Sequence, residues 1–192
     1  MSNNIEIEGK ILVTEDEFNK LLKHFNRTEE DKVMQTNHYI DSSEQILRRF
    51  GFALRIRERN GEYVLTLKTP LSEGLLEKNQ NISKDVYKEF KYENTFPEGN
   101  IKDFLAMIGI EVKDLSILTS LKTERYDVKY QDGLLSLDKS TYNDIVDYEV
   151  ELEETSLQHA HENLKSICEQ VGIQYRLNEL SKQARAMNSL KK

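Results

Sequence analysis

Three separate stretches of this chain carry charged residues at a period of two: Glu6, Glu8 and Lys10; Arg55, Arg57 and Arg59; Asp147, Glu149, Glu151 and Glu153. Successive side chains on a β-strand point to opposite faces, so each set lies along one face of its strand. A solvated outer face accounts for any one ladder. Three together do not suit that reading, because like charges along one strand face repel, and solubility is better served by mixed signs. The pattern predicts strands whose charged faces meet one another, the acidic ladders opposed by the arginines and by Lys68 and Arg125.

The rest of the chain fills in around those strands. Residues 4–13 read as the first strand, and Thr14 with Glu17 forms a capping box that opens a helix over 15–26. Strands are expected at 33–41, 52–59 and 62–69, the last two joined by Asn60-Gly61 and the second of them ended by Pro70. Residues 71–81 read as a loop, 82–92 as a strand and 97–108 as a short helix with Pro97 at its start. Asp132-Gly133 predicts a hairpin between strands 117–130 and 134–141, and 145–153 is the last strand. Thr155 with Gln158 reads as a second capping box, opening a helix over 156–171 whose apolar stripe ends near Gly172. A short helix over 178–189 follows. The class is α+β with an antiparallel sheet: seven or eight strands with two tight hairpins suggest a curved or closed sheet, a barrel or tunnel, since closure removes exposed sheet edges.

Composition narrows the function. Eight Gly and two Pro among 192 residues leave little for long linkers. A net charge of −7, from 27 basic and 34 acidic residues, argues against a nucleic-acid partner. Cys168 is the only cysteine, which excludes an intramolecular disulfide or a Cys-built metal site and agrees with a reducing compartment. No apolar run approaches the ~18–20 residues of a membrane span, and the opening residues lack the form of a signal peptide, so a cytoplasmic protein without a membrane partner is expected. Oligomeric state stays open.

Four or more carboxylates facing one interior suit a hard cation, Mg2+ or Mn2+, while arginine forks and lysine ammonium groups suit phosphate oxygens. The common nucleotide, zinc and serine-hydrolase motifs are missing. His159 and His161 diverge on their helix, His24 and His38 are isolated, and Cys168 lies on an apolar stripe, so packing or surface roles are expected for all five.

These residues resemble the CYTH superfamily, the triphosphate tunnel metalloenzymes. The ExExK signature stands as Glu6-Ile7-Glu8-Gly9-Lys10, followed in order by Tyr39-Ile40-Asp41, Phe52-Ala53-Leu54-Arg55-Ile56-Arg57 and Leu67-Lys68. Arg125, Asp138, Glu149-Val150-Glu151 and Lys182 extend the likeness along nearly the whole chain. The resemblance implies one domain over residues 1–192, an eight-stranded antiparallel β tunnel or barrel with flanking helices, the helix at 178–189 contributing to it, in which Arg55, Arg57, Lys68, Arg125 and Lys182 bind a triphosphate-containing small molecule. It implies that Glu6, Glu8, Glu149 and Glu151 hold the metal, and that Asp138 supports a metal or a basic neighbour. Lys10 would contact phosphate or orient the attacking water, which with Glu149 and Glu151 makes the implied catalytic set. Arg59 and Glu153 are expected at the rim, Tyr39 and Asp41 at the mouth or in strand packing, and Glu89 is a weaker tunnel candidate. The leading expectation is metal-dependent hydrolysis of inorganic tripolyphosphate or an organic triphosphate, releasing orthophosphate. The alternatives are a class IV-type adenylyl cyclase, a non-catalytic binder of polyphosphate or another phosphorylated ligand, and a structural domain.

Overall fold

The computed structural model describes residues 2–72 and 74–190. In chain order the elements are β1 Ser2–Glu6, β2 Glu8–Val13, α1 Glu15–His24, β3 Val33–Asp41, α2 Ile46–Arg49, β4 Ala53–Arg59, β5 Glu62–Pro70 and β6 Leu75–Ile82. They continue with α3 Lys84–Glu93, α4 Asn100–Met107, β7 Ser116–Tyr130, β8 Gly133–Tyr142, β9 Ile145–Glu153, α5 Leu157–Val171 and α6 Lys182–Ser189. All nine strands belong to one antiparallel sheet in the order β1-β6-β5-β4-β3-β7-β8-β9-β2. Its two ends, β1 and β2, are halves of the same opening segment divided at Ile7. Glu6 pairs with Leu75 on one side and Glu8 with Glu153 on the other, so this segment closes the tunnel. The expected eight strands become nine because the first changes partner midway.

The sheet turns its apolar side outward. Leu54, Ile56, Leu65 and Leu67 pack beneath α3 and α4 with Tyr87, Phe90, Ile101 and Leu105. Ile11, Val150 and Leu152 pack beneath α1 and α5 with Phe18, Leu21, Leu164, Ile167 and Cys168, so the cysteine is a core residue as expected. Both outer faces are therefore covered, and the polar ladders are left to face the lumen. Gly9, inside the ExExK signature, serves this packing. A Cβ there would lie 3.0 Å from both His161 Cδ2 and Leu164 Cδ1 and 3.1 Å from Ala160 Cβ, so β2 and α5 touch at backbone distance. Gly9→Val is expected to cost about 1–3 kcal/mol by forcing α5 outward. A urea midpoint equal to that of the wild type would show that α5 yields freely.

Several elements differ from the sequence reading. Residues 75–82 form β6, not loop: Glu77 faces the lumen, and Lys78 on the other side lies 5.3 Å from the Phe104 ring centroid. With polar residues on both faces, the usual alternation is lost. Residues 84–93 form helix α3, not strand. The Ser83 hydroxyl caps it by accepting from Val86 N, and Tyr87 and Phe90, three apart, are its buried face. Helix α4 starts at Asn100, three residues after Pro97. The helix at 157–171 is capped by Ser156, whose hydroxyl accepts from His159 N, rather than by the Thr155–Gln158 pair.

The Thr14–Glu17 capping box forms as read, as does the Asn60-Gly61 turn, with both residues at positive φ. The next hairpin is displaced by one residue: its loop is Gln131-Asp132, between the paired Tyr130 and Gly133. Gly133 instead lies in β8, where a Cβ would stand 2.4 Å from the Glu153 carbonyl oxygen. An unread turn, Asn143-Asp144, joins β8 to β9 with both residues at positive φ. After α5 the chain bridges to β2 at Leu177, with Asn178 N donating to Lys10 O at 2.9 Å, and then enters α6. Ala186 of α6 packs against Tyr39, Leu121 and Tyr142, inside the ring of strands. No helix among the described residues is long and apolar enough to cross a membrane.

Candidate functional site

The lumen is a cavity of about 580 Å3, within the size range that encloses small-molecule ligands. Its charge is arranged by strand order. β4, carrying Arg55, Arg57 and Arg59, and β9, carrying Glu151 and Glu153, are four strands apart whichever way the ring is followed, counting β1 and β2 as one. The arginine ladder thus faces the glutamate ladder across the lumen. Lys68 from β5 and Arg125 from β7 flank the basic arc; Glu6, Glu8 and Glu77 extend the acidic one. Eight cationic and eight carboxylate side chains line the cavity among the described residues, a balance that the overall charge of −7 conceals.

Nine of the residues singled out from sequence meet at this cavity: Glu6, Glu8, Lys10, Arg55, Arg57, Lys68, Arg125, Glu151 and Lys182. Arg59, Glu153 and Tyr39 line it as well. Two residues assigned to the metal set, Asp138 and Glu149, are fully buried behind the wall. Asp138 receives Arg125 in a fork, Nε at 2.7 Å and Nη2 at 2.6 Å. Glu149 accepts from Asn178 at 2.7 Å and from Arg185 at 2.9 and 3.1 Å, and pairs with Lys182 at 2.6 Å. Its oxygens are saturated by cations and an amide, so the geometry makes it an anchor. Asp41 lines the cavity, but its carboxylate is engaged with the backbone: it accepts the N–H groups of Ser42, Leu47 and Arg48 and braces the turn carrying α2. Glu89 is exposed on α3, outside the tunnel. His38 lies in the outer wall, between Ser120 at 2.7 Å and Tyr87 at 3.0 Å, where burial lowers its pKa.

Lys182 enters from α6 and sets the electrostatics of the inner end. Its ammonium lies 2.9 Å from Asp138 and 2.6 Å from both Glu149 and Glu151. Burial alone would depress its pKa, but those three carboxylates hold it well above the usual lysine value. Burial would likewise raise the Glu151 carboxyl, yet Lys182, Arg125 and Lys10 hold it well below the usual range. The basic arc is under-compensated by comparison. The like charge of Arg55, then burial and Arg125, push the Arg57 pKa down to about 9, a value at which the guanidinium still keeps its charge at neutral pH. Among the described residues no carboxylate pairs with Arg57, whose Nε donates only to Asn37 at 3.1 Å, and the buried Arg55 Nε has no hydrogen-bond partner. Cations held together without enough counter-charge make a site for an anion.

The acidic arc has the donor chemistry of a hard-cation site: Glu6, Glu8, Glu77, Glu151 and Glu153 supply oxygens from four strands, with no thiolate or imidazole. Partial burial and the carboxylates of Glu6, Glu8 and Glu77 push the Glu153 carboxyl above its usual value, so negative charge accumulates there. Among the described residues no three such groups are already gathered as a metal site. Lys68 holds Glu6, and Lys10 holds Glu8 at 2.8 Å. Arg55 holds Glu77, and Arg125 and Lys182 hold Glu151, so the donors fit a divalent cation in type and charge once these cations turn to another anion.

Sequence reasoning missed Glu77, because β6 shows no alternation, and Arg185, for which the available signal was its place three residues after Lys182 on one helix face.

Comparisons with known proteins cover nearly the whole chain. A family model described as the CYTH domain matches residues 4–186. A Bacillus subtilis (strain 168) protein named "Putative triphosphatase YjbK" is 37% identical over 176 residues, covering 92% of this chain and 91% of that protein. A crystal structure described as "a putative adenylate cyclase" from Bacillus halodurans superposes with a TM-score of 0.89 at 36% identity, over 96% of this chain and 98% of the other. A Hippeastrum protein, described as a "Putative adenylyl cyclase" that reveals a dominant triphosphatase activity, shares the fold at 24% identity and a TM-score of 0.77, over 96% of each chain.

Proposed function

The chain belongs to the CYTH domain family, and on that premise we propose that it is a divalent-metal-dependent triphosphatase. In this reading it hydrolyses inorganic tripolyphosphate or an organic triphosphate and releases orthophosphate. The name of the Bacillus subtilis relative supports triphosphatase chemistry. The observation that carries the reading is the basic arc: Arg57, crowded by Arg55 and Arg125 and without a carboxylate partner, opposite a wall of glutamates.

A chain of phosphates laid along the lumen gives Arg57 the anion it lacks and Arg55 a second one beside Glu77, which lies 3.4 Å from its Nη2, and their planar forks grip oxygens on adjacent phosphates. Lys68 and Arg125 close on the same chain from the flanking strands. Glu6, Glu8 and Glu151, with Glu77 and Glu153 beside them, are the residues that would hold Mg2+ or Mn2+; the bound cation supplies charge neutralisation and a more acidic water. Lys10 stands beside Glu8, and Glu151 pulls on its charge, so its ammonium is placed to orient a water or a phosphate oxygen at the acidic wall. The guanidinium groups stabilise charge as the bridging bond breaks, and positioning with electrostatics provides the catalysis.

The test is incubation with tripolyphosphate, thiamine triphosphate or ATP, in Mg2+, Mn2+ or chelator, with orthophosphate, pyrophosphate and cyclic AMP quantified. Orthophosphate release that falls by about 100-fold or more with chelator is expected. Cyclic AMP from ATP would make the protein a cyclase, and tight binding without turnover a binder. Tripolyphosphate at a hundred times its Kd should also raise Tm by about 5–10 °C; a structural domain would show no shift.

A further inference from the structure

Helix α6 has eight residues, too few to be stable alone, yet it delivers Lys182 to the inner end of the tunnel. Buried Ala186 and Met187 seat the helix, and Asn143 Nδ2 donates to the Ala186 carbonyl at 3.2 Å; its ionic hold outside the cavity comes from one side chain. Arg185, three residues after Lys182 and therefore on the same helix face, is 9% exposed and forks onto two carboxylates. Its Nε and Nη2 donate to Asp147 at 2.8 and 3.3 Å, and its Nη1 and Nη2 donate to Glu149 at 2.9 and 3.1 Å. Nη1 also donates to the Leu180 carbonyl at 2.9 Å, tying the fork to the turn before the helix. Tyr142 OH donates to Asp147 at 2.7 Å and holds that carboxylate in place.

We propose that Arg185 is a positioning residue that sets the depth and rotation of α6, so that the Lys182 ammonium meets the acidic wall and the ligand. A planar guanidinium bonded to two fixed carboxylates constrains both, whereas Lys182, on a flexible stem, follows its helix. This rests on the triphosphate reading of the site. Asp147 then serves the ligand indirectly, through Arg185, and Glu149 does so through Arg185 and through its own contact with Lys182.

The experiment is a double-mutant cycle read by calorimetric titration of tripolyphosphate and by KM and kcat. Arg185→Gln is expected to weaken tripolyphosphate binding by about tenfold, yet by less than about twofold when Lys182 is already replaced by Met. Arg185→Lys keeps the charge but cannot span two carboxylates, and should resemble Arg185→Gln. Effects of Arg185→Gln and Lys182→Met that simply multiply, or an Arg185→Gln variant that loses only Tm, would overturn the proposal. Failure of the wild type to bind tripolyphosphate would instead remove the functional reading. The placement of Lys182 is then read without ligand, by mass spectrometry after acetylation: Lys182 should be protected in the wild type and modified in Arg185→Gln and Arg185→Lys. Equal protection in all three overturns the positioning role.

Discussion

Glu149→Ala should destabilise the folded chain by about 3–5 kcal/mol, the loss typical of removing one partner from a buried ionic cluster. Glu149 is fully buried and accepts or pairs with Asn178, Lys182 and Arg185. Its removal leaves two largely buried cations facing a hole. Asp138, Glu151 and Asp147 still compensate part of their charge, which keeps the loss from being larger. Against a typical total stability of about 5–15 kcal/mol, this is a large fraction. Urea denaturation at neutral pH measures it, and a loss under about 1 kcal/mol would mean that the cluster does not hold α6 in place. Glu149→Gln keeps the shape and one acceptor oxygen, so a smaller loss is expected. A folded Glu149→Gln protein with intact α6 but no turnover would return Glu149 to the catalytic set.

Arg57→Ala should have the opposite profile. Triphosphate turnover is expected to fall by about 100- to 1,000-fold in kcat/KM, as when a donor to developing charge is removed. Stability should hold or rise, since the substitution removes a cation crowded by Arg55 and Arg125. The sign follows from linkage. A base whose pKa is lower folded than unfolded weakens the fold while it is charged, and that cost is fully present below about pH 9 and relieved only gradually as pH rises from there towards the ordinary arginine value. The relief at neutral pH comes from a bound anion, so wild-type Tm should respond to tripolyphosphate more than that of Arg57→Ala. Steady-state kinetics with paired melting curves decide it. An Arg57→Ala variant that melts lower and turns over normally would make Arg57 a structural residue.

Much of the site was legible in sequence because strand periodicity is local. Glu6 and Glu8, Arg55 and Arg57, and Glu151 and Glu153 share faces in any strand that contains them. The wrong elements were those in which this local signal is diluted. Residues 75–82 lack alternation because one polar face meets the lumen and the other packs by aliphatic stems and a cation over Phe104. Residues 84–93 interleave Lys and Glu with aromatics, which obscures a helical face only two buried residues wide.

The amino-acid sequence by itself determined which side chains share a face, where most chain reversals fall, and that acidic and basic ladders need each other. Only the tertiary structure decided that the opening strand splits at Ile7 to close the ring, that the arginine and glutamate ladders stand four strands apart, and which carboxylates remain available. Glu149 and Glu151 are two residues apart on one face, and both meet Lys182, yet the first is fully buried among Arg185, Asn178 and Lys182 while the second, held by Arg125 and Lys182, lines the cavity. The physical reason is range. The direction of a side chain follows from its own backbone, whereas its partner is set by the register of distant strands and the docking of a helix some thirty residues away.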